Sequence, residues 1–182
     1  MKTKKADFMQ RVLIPEEKIK VILKNPEIIK KVEDSCRCRI EISEEGIEIT
    51  GNSFDEFSAK NIIFAFGRGF TIDEALMLLN DNFYFSIIDL EQYFGSENRI
   101  HQVKARIIGE NGKVKKNIEN VSKAKISVYG NTVSFIGTQE SINEAETCVN
   151  ALIDGESHRS AYRKMEAAHR KNRQAYREIG MY

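Results

Sequence analysis

The chain has 182 residues, 41% hydrophobic and 30% charged, with a net charge of +1. No apolar run approaches the roughly 20 residues of a membrane span, and no apolar stretch follows the basic Met1-Lys2-Thr3-Lys4-Lys5 as it would in a secretory signal; an intracellular, cytoplasmic protein with no membrane partner is expected. The charge balance is uneven along the chain: residues 1–95 carry 13 Lys+Arg against 17 Asp+Glu, and residues 96–182 carry 15 against 10, so a polyanion should choose the second half.

In chain order, the pattern predicts a strand over 10–14, a helix over 27–35, strands at Arg39–Ser43 and Gly46–Thr50 joined by a tight turn at Glu44-Glu45, and a helix over 53–66. Gly67-Arg68-Gly69-Phe70 then leads to an amphipathic helix over 72–79 with Thr71 as its cap, and residues 83–88 read as extended. The apolar content of 67–96 predicts a packed inter-domain segment rather than a floppy tether. A strand over 99–104, a short helix, the loop Gly109-Glu110-Asn111-Gly112 and a helix at Lys113–Ser122 follow. Next come strands at Lys125–Tyr129 and 132–136 around a Gly130-Asn131 turn, and a helix over 138–153 capped by Thr138. The end, 157–182, has seven Lys+Arg against two acids and is expected to be a solvated basic helix, a frayed tail, or an arm on RNA.

The chain aligns with itself without a gap at an offset of 86. Ile40 falls on Ile126 (126 − 40 = 86), Ile42 on Val128, Ile47 on Val133, Ile49 on Phe135, Gly51 on Gly137 and Val32-Glu33 on Ile118-Glu119. Shared apolar positions of one period indicate two copies of one supersecondary unit, of order β-α-α-β-β-α. The expected fold class is α+β, each copy a three-stranded antiparallel sheet with helices on one face, with domains at 8–66 and 97–155, the segment 67–96 between them and the tail 156–182. The copies differ at one place. Where the second has Gly109-Glu110-Asn111-Gly112, the first has Leu23-Lys24-Asn25-Pro26, which adds a side chain where a close approach is needed and removes a backbone donor.

Other chemistry is not signalled. Cys36, Cys38 and Cys148 form no Cys-x-x-Cys pair and are expected as free thiols. His101, His158 and His169 have no metal spacing, and no Gly-x-x-x-x-Gly-Lys-Ser/Thr loop occurs. No metal, cofactor, catalytic residue or enzymatic activity is expected.

Ile107-Ile108, Gly109-Glu110-Asn111-Gly112, the basic helix from Lys113 and the strand from Lys125 together resemble a type I KH domain, a module that clamps about four nucleotides of a single strand. The resemblance assigns loop roles to Gly109, Glu110, Asn111 and Gly112, phosphate contacts to Lys113 and Lys116, the groove floor to Ile108 and Val128, and its flanks to Arg106 and Lys125. Each has a plain alternative: an ordinary turn, a solvated helix face, core packing, or a charge on a strand edge. The runs Val103-Lys104-Ala105-Arg106-Ile107-Ile108-Gly109, Ile126-Ser127-Val128-Tyr129-Gly130-Asn131-Thr132-Val133 and Ile136-Gly137, with Gly67-Arg68-Gly69-Phe70, Glu74-Ala75-Leu76 and Ile88-Asp89-Leu90, resemble the archaeal two-KH ribosome-assembly factor. That factor is a relative of the eukaryotic partner-of-Nob and KRR-type pre-ribosomal proteins. This likeness covers about residues 8–170. It implies binding of the single-stranded 3′ end of small-subunit ribosomal RNA, with a Nob-type endonuclease and archaeal initiation factor two alpha as partners. A protein-interaction scaffold with a vestigial grip, or a general binder of messenger RNA, are the alternatives.

Overall fold

The computed structural model describes residues 9–43 and 46–178. The chain divides into two compact units, Met1–Leu79 and Asn80–Tyr182. The turn expected at Glu44-Glu45 and the basic N-terminal residues lie outside the described residues.

In the first unit, β1 (Met9–Val12), α1 (Glu16–Lys24), α2 (Glu27–Cys36), β2 (Arg39–Ser43), β3 (Gly46–Thr50) and α3 (Ser53–Gly67) follow in order. The sheet is antiparallel with order β1-β3-β2. Period-two alternation sends Val12, Ile40, Ile47 and Ile49 into the core and leaves Arg11 and Glu48 as an ion pair at 3.0 Å on the other face. Helix α3 starts where Asn52 accepts the N–H groups of Phe54 and Asp55, satisfying two of the orphan donors of a first turn. It buries Ala59, Ile62, Ile63, Ala65 and Phe66, each large side chain contributing about 1.5–3 kcal/mol. Helix α4 (Ile72–Ala75) has the expected Thr71 cap, in a reciprocal capping box with Glu74. It continues as a 3-10 turn at Leu76–Leu79 and packs on α3.

The second unit runs β4 (Tyr84–Asp89), a 3-10 turn at Leu90–Gln92, α5 (Glu97–Ile108), α6 (Lys113–Ser122), β5 (Lys125–Tyr129), β6 (Thr132–Gly137), α7 (Gln139–Ile153) and α8 (His158–Glu178). Its antiparallel sheet has order β4-β6-β5, the same topology as the first. The repeat extends to individual bonds. Glu33 accepts the N–H of Ile40 at 2.8 Å, and Glu119 that of Ile126 at 2.9 Å. Arg37 and Lys123, 86 apart, both end their helices in the left-handed conformation. Asn52 and Thr138, also 86 apart, both cap the closing helix.

One expected element is wrong. Residues 99–104 are not a strand but the middle of α5, and the strand of the second sheet is β4, inside the segment expected to link the domains. The physical reason is visible in the spacing: Ile100, Val103 and Ile107 sit three and four apart, and these are the buried residues of α5. The segment 67–96 is therefore shared out, residues to Leu79 going with the first unit and those from Asn80 with the second. The self-alignment also breaks here. Met9 pairs with Thr50 and Phe85 with Ile136, its equivalent (50 + 86 = 136). The strands are thus offset by 85 − 9 = 76, and the second unit holds 86 − 76 = 10 extra residues between its first strand and the loop.

Candidate nucleic-acid interface

Helix α5 ends where the N–H of Gly109 reaches the carbonyl of Ala105 at 2.8 Å. The next three residues make a single 3-10 turn, Glu110–Gly112, with Gly112 donating to Gly109 at 3.2 Å. Gly109 has φ 71° and ψ 175°, Asn111 φ 51° and Gly112 φ 74°. Glycine is required at 109 twice over: by the dihedrals, and because a Cβ there would lie 2.3 Å from Val114 Cγ2 and 2.8 Å from Val114 Cβ. At 112 a Cβ would meet nothing within 4 Å, so this backbone faces open space. Gly112 also opens α6 without a side-chain cap. The first N–H groups of the helix point outward with the positive end of its dipole.

Lys113 and Lys116 are exposed on the first turn. Lys113 is 3.9 Å from Glu110, both side chains largely in solvent, a pair that costs little to break. Ile108, the last residue of α5, is 36% exposed, while Val128 is half-buried and packs on the core. Strand β5 is a sheet edge. Glu119 takes the outward N–H of Ile126, and alternation places the backbone N–H of Val128 on that same edge. Lys115 holds Glu119 at 3.1 Å; this pair, missed in the sequence, was readable from its spacing of four on a helix. Lys125 is half-buried at the start of β5.

The structure gives Arg106 another task. Its Nη1 donates to the carbonyl of Leu152 at 2.9 Å and its Nη2 to that of Glu156, and His158 Nε2 lies 3.0 Å from its own carbonyl oxygen. Arg106 secures the α7–α8 corner, so it is withdrawn from the groove flank. The tail residues 158–178 form α8, which buries Ala161 and Met165 against the core. His169 Nδ1 and Asn172 Nδ2 both meet the carboxylate of Glu144 on α7 at 2.8 Å.

The first unit has a different loop. Asn25 has φ −132° and Pro26 φ −62°; no residue of 23–26 is left-handed. Asn25 turns its side chain back onto the carbonyl of Val21 at 2.9 Å, and Leu23 stands 63% exposed. Beside it lies a cleft of about 790 Å3 lined by Ile22, Leu23, Pro26, Ile29, Ile40 and Ile42. Its charged residues are Glu27, Lys30, Glu33 and Asp34, net −2. The positions 86 residues on hold Lys113, Lys116, Glu119 and Asn120, net +1, and Lys115 in place of Ile29 brings the matching lining of the second unit to +2.

A KH domain-containing protein of Methanocaldococcus jannaschii is 34% identical over 173 residues, an alignment spanning 91% of this chain and 76% of that one. The structure of aDim2p in a complex with a/eIF2alpha and rRNA, from Pyrococcus horikoshii, superposes with a TM-score of 0.83 at 31% identity, over 92% of this chain and 97% of that one. The chain belongs to the Dim2p/PNO1 family of KH-domain proteins. Residues 84–170 match the family model described as the eukaryotic type KH domain, type I, so the match begins at β4 and runs into α8. The pre-rRNA-processing protein PNO1 of Chaetomium thermophilum is 28% identical over 157 residues, covering 80% of this chain. This chain spans 60% of the length of that fungal member of the Dim2p/PNO1 family.

Proposed function

We propose that the chain holds two tandem type I KH domains and binds single-stranded RNA, at the 3′ end of small-subunit ribosomal RNA, in ribosome assembly and rRNA processing. The observation that carries the reading is the Gly109–Gly112 loop. An open glycine backbone leads into an uncapped helix bearing Lys113 and Lys116, beside a strand edge and the apolar lip at Ile108. Phosphates meet the N–H groups and lysines, and bases lie over Ile108 and Val128, where the β5 edge can read them. Lys125 flanks that edge, and Glu110 and Asn111 complete the loop. The Pyrococcus complex supports rRNA and the initiation factor two alpha as partners; a Nob-type endonuclease is a further one. The chain acts in the cytoplasm, without a cofactor and without catalysis of its own.

The test is fluorescence anisotropy with a short strand from the small-subunit rRNA 3′ end, alone and annealed to its complement. The single strand binds more tightly, because pairing hides the base edges. Equal affinity for both contradicts the groove.

A second reading applies to the first unit alone. Its cleft keeps the apolar floor but has net charge −2 and no left-handed loop. These features favour a polypeptide segment over RNA there.

A further inference from the structure

Helix α8 carries a second charged feature that the loop does not use. Arg159, Arg163, Arg170, Arg173 and Arg177 lie at positions 0, 4, 11, 14 and 18 along it, and all five are exposed. At 100° per residue they fall within about 40° of one line. At 1.5 Å per residue the line is about 27 Å long. One carboxylate, the exposed Glu166, sits in the same stripe, leaving it net +4. None of the five arginines is held by an ion pair or hydrogen bond among the described residues. By contrast Lys164, off the stripe, is paired with Glu156.

The packing fixes where the stripe points. Ala161 and Met165 are buried, and His169 and Asn172 hold the buried Glu144. Ala161, Met165 and Asn172 lie about 120–160° round the helix from the stripe's line, with His169 on the flank at about 80°. Tyr162 packs against the core, and α8 also lies against α6, the helix that the glycine loop opens. Loop and stripe thus belong to one body, the second unit.

We propose that the arginine stripe of α8 is a separate RNA contact, which takes the phosphate backbone of a folded, stem-bearing part of the RNA next to the single strand in the loop. It rests on the RNA reading above and adds to it a second, sequence-independent contact. A straight rod of arginines fits a regular polyanion. Each guanidinium fork can donate two N–H bonds to one phosphate, and a duplex offers such phosphates at short, regular intervals over this length. An acidic protein surface offers no such regular row.

The experiment compares two RNAs by anisotropy across a salt series: a bare single strand from the small-subunit rRNA 3′ end, and the same strand carrying a stem-loop. Three variants of the full chain are used: all five arginines to Gln, all five to Lys, and Glu166→Gln. Gln and Lys are good helix formers, and helix content is checked by circular dichroism. For the stem-bearing RNA, the Gln variant should lose at least tenfold in affinity, and its log–log salt slope should flatten by about 3. The Lys variant should keep most of the slope, and Glu166→Gln should bind about two- to threefold more tightly. The bare strand should bind all variants within about threefold. An unchanged affinity and slope for the Gln variant on the stem-bearing RNA overturns the proposal. So does competition by polyglutamate as effective as that by the stem RNA, which would make the surface one for acidic protein. Failure of the bare strand to bind the parent protein would instead count against the loop, a separate result.

Discussion

The carbonyl oxygen of Arg106 lies 3.0 Å from Nε2 of His158, 52 residues further along the chain. The same arginine sends its guanidinium to the carbonyls of Leu152 and Glu156. The last turn of α5 is thereby fastened to the corner between α7 and α8, and the glycine loop starts three residues after the fastening. The glycine loop is mounted on a point made by parts distant in sequence.

Arg106→Gln should therefore act on stability rather than on RNA. Two charge-assisted bonds to buried-end carbonyls are lost, about 1–3 kcal/mol in all. Urea denaturation should show this as a lower midpoint, while the folded variant keeps its single-strand affinity within about twofold. The reverse pattern, unchanged midpoint with weakened RNA binding, would return Arg106 to the groove.

Replacing Glu110 and Asn111 together by Asp should weaken single-strand binding at least tenfold. The change keeps a carboxylate at 110 and adds a second at 111, beside the phosphate path, in an exposed loop where substitutions cost about 0.5 kcal/mol or less. Lys24→Asp, in the corresponding loop of the first unit, should leave RNA binding nearly unchanged. If the first-unit change abolishes binding and the second-unit change does not, the roles of the two units are reversed.

Gly109→Ala should destabilise the fold more than Gly112→Ala, where a Cβ meets nothing and only the left-handed φ of 74° is strained. The new methyl meets Val114, and φ 71° with ψ 175° is a region nearly confined to glycine, at a cost of about 1–3 kcal/mol. Adding Val114→Ala should recover only part of the lost melting temperature, since the backbone strain stays. Complete recovery would show that contact with the valine was the whole effect.

The thiols should be slow to alkylate. Burial, with lesser contributions from nearby Cys38 and Asp55, pushes Cys36 up to about 11. Burial, then Glu33 and Asp55, does the same for Cys38, and burial takes Cys148 to about 12. At pH 8 a group of pKa 11 is thiolate in roughly one molecule in a thousand. Iodoacetamide followed by mass spectrometry should label the unfolded chain far faster than the folded one, with the rate still rising above pH 9. Rapid labelling of Cys38 at pH 7.5 would contradict this environment.

The sequence pattern conveyed what depends on near neighbours. Ile40 and Ile126, Ile47 and Val133, Ile49 and Phe135 alternate in the sequence and are buried in both sheets. Thr71 and Thr138 cap where their spacing said they would. The glycine loop was legible because its residues are consecutive. What was misread needed a partner far away. The pattern over 83–88 reads as extended, as β4 is; what it does not show is the pairing with β6 that makes this segment a strand of the second sheet rather than a link. In 99–104, Ile100 and Val103 are three apart, which fits the helical period and breaks the alternating one, and Ile107 four further on extends the same face. Arg106 looked like a groove residue because its acceptors are main-chain carbonyls 46 and 50 residues on, and main-chain acceptors leave no sequence signal.

The place of β4 decides which fragment of the second unit can be made alone. It is an outer strand of its sheet, and β6, whose six residues are all buried, lies directly beside it. A fragment begun at residue 97, where the sequence pattern put the domain start, would leave one side of β6 as a bare row of N–H and C=O groups on an apolar strand. Such an edge recruits other chains, and that fragment would precipitate or form oligomers in the test tube. A fragment begun at Asn80 keeps the edge covered and is the one for isotope labelling and spectroscopy.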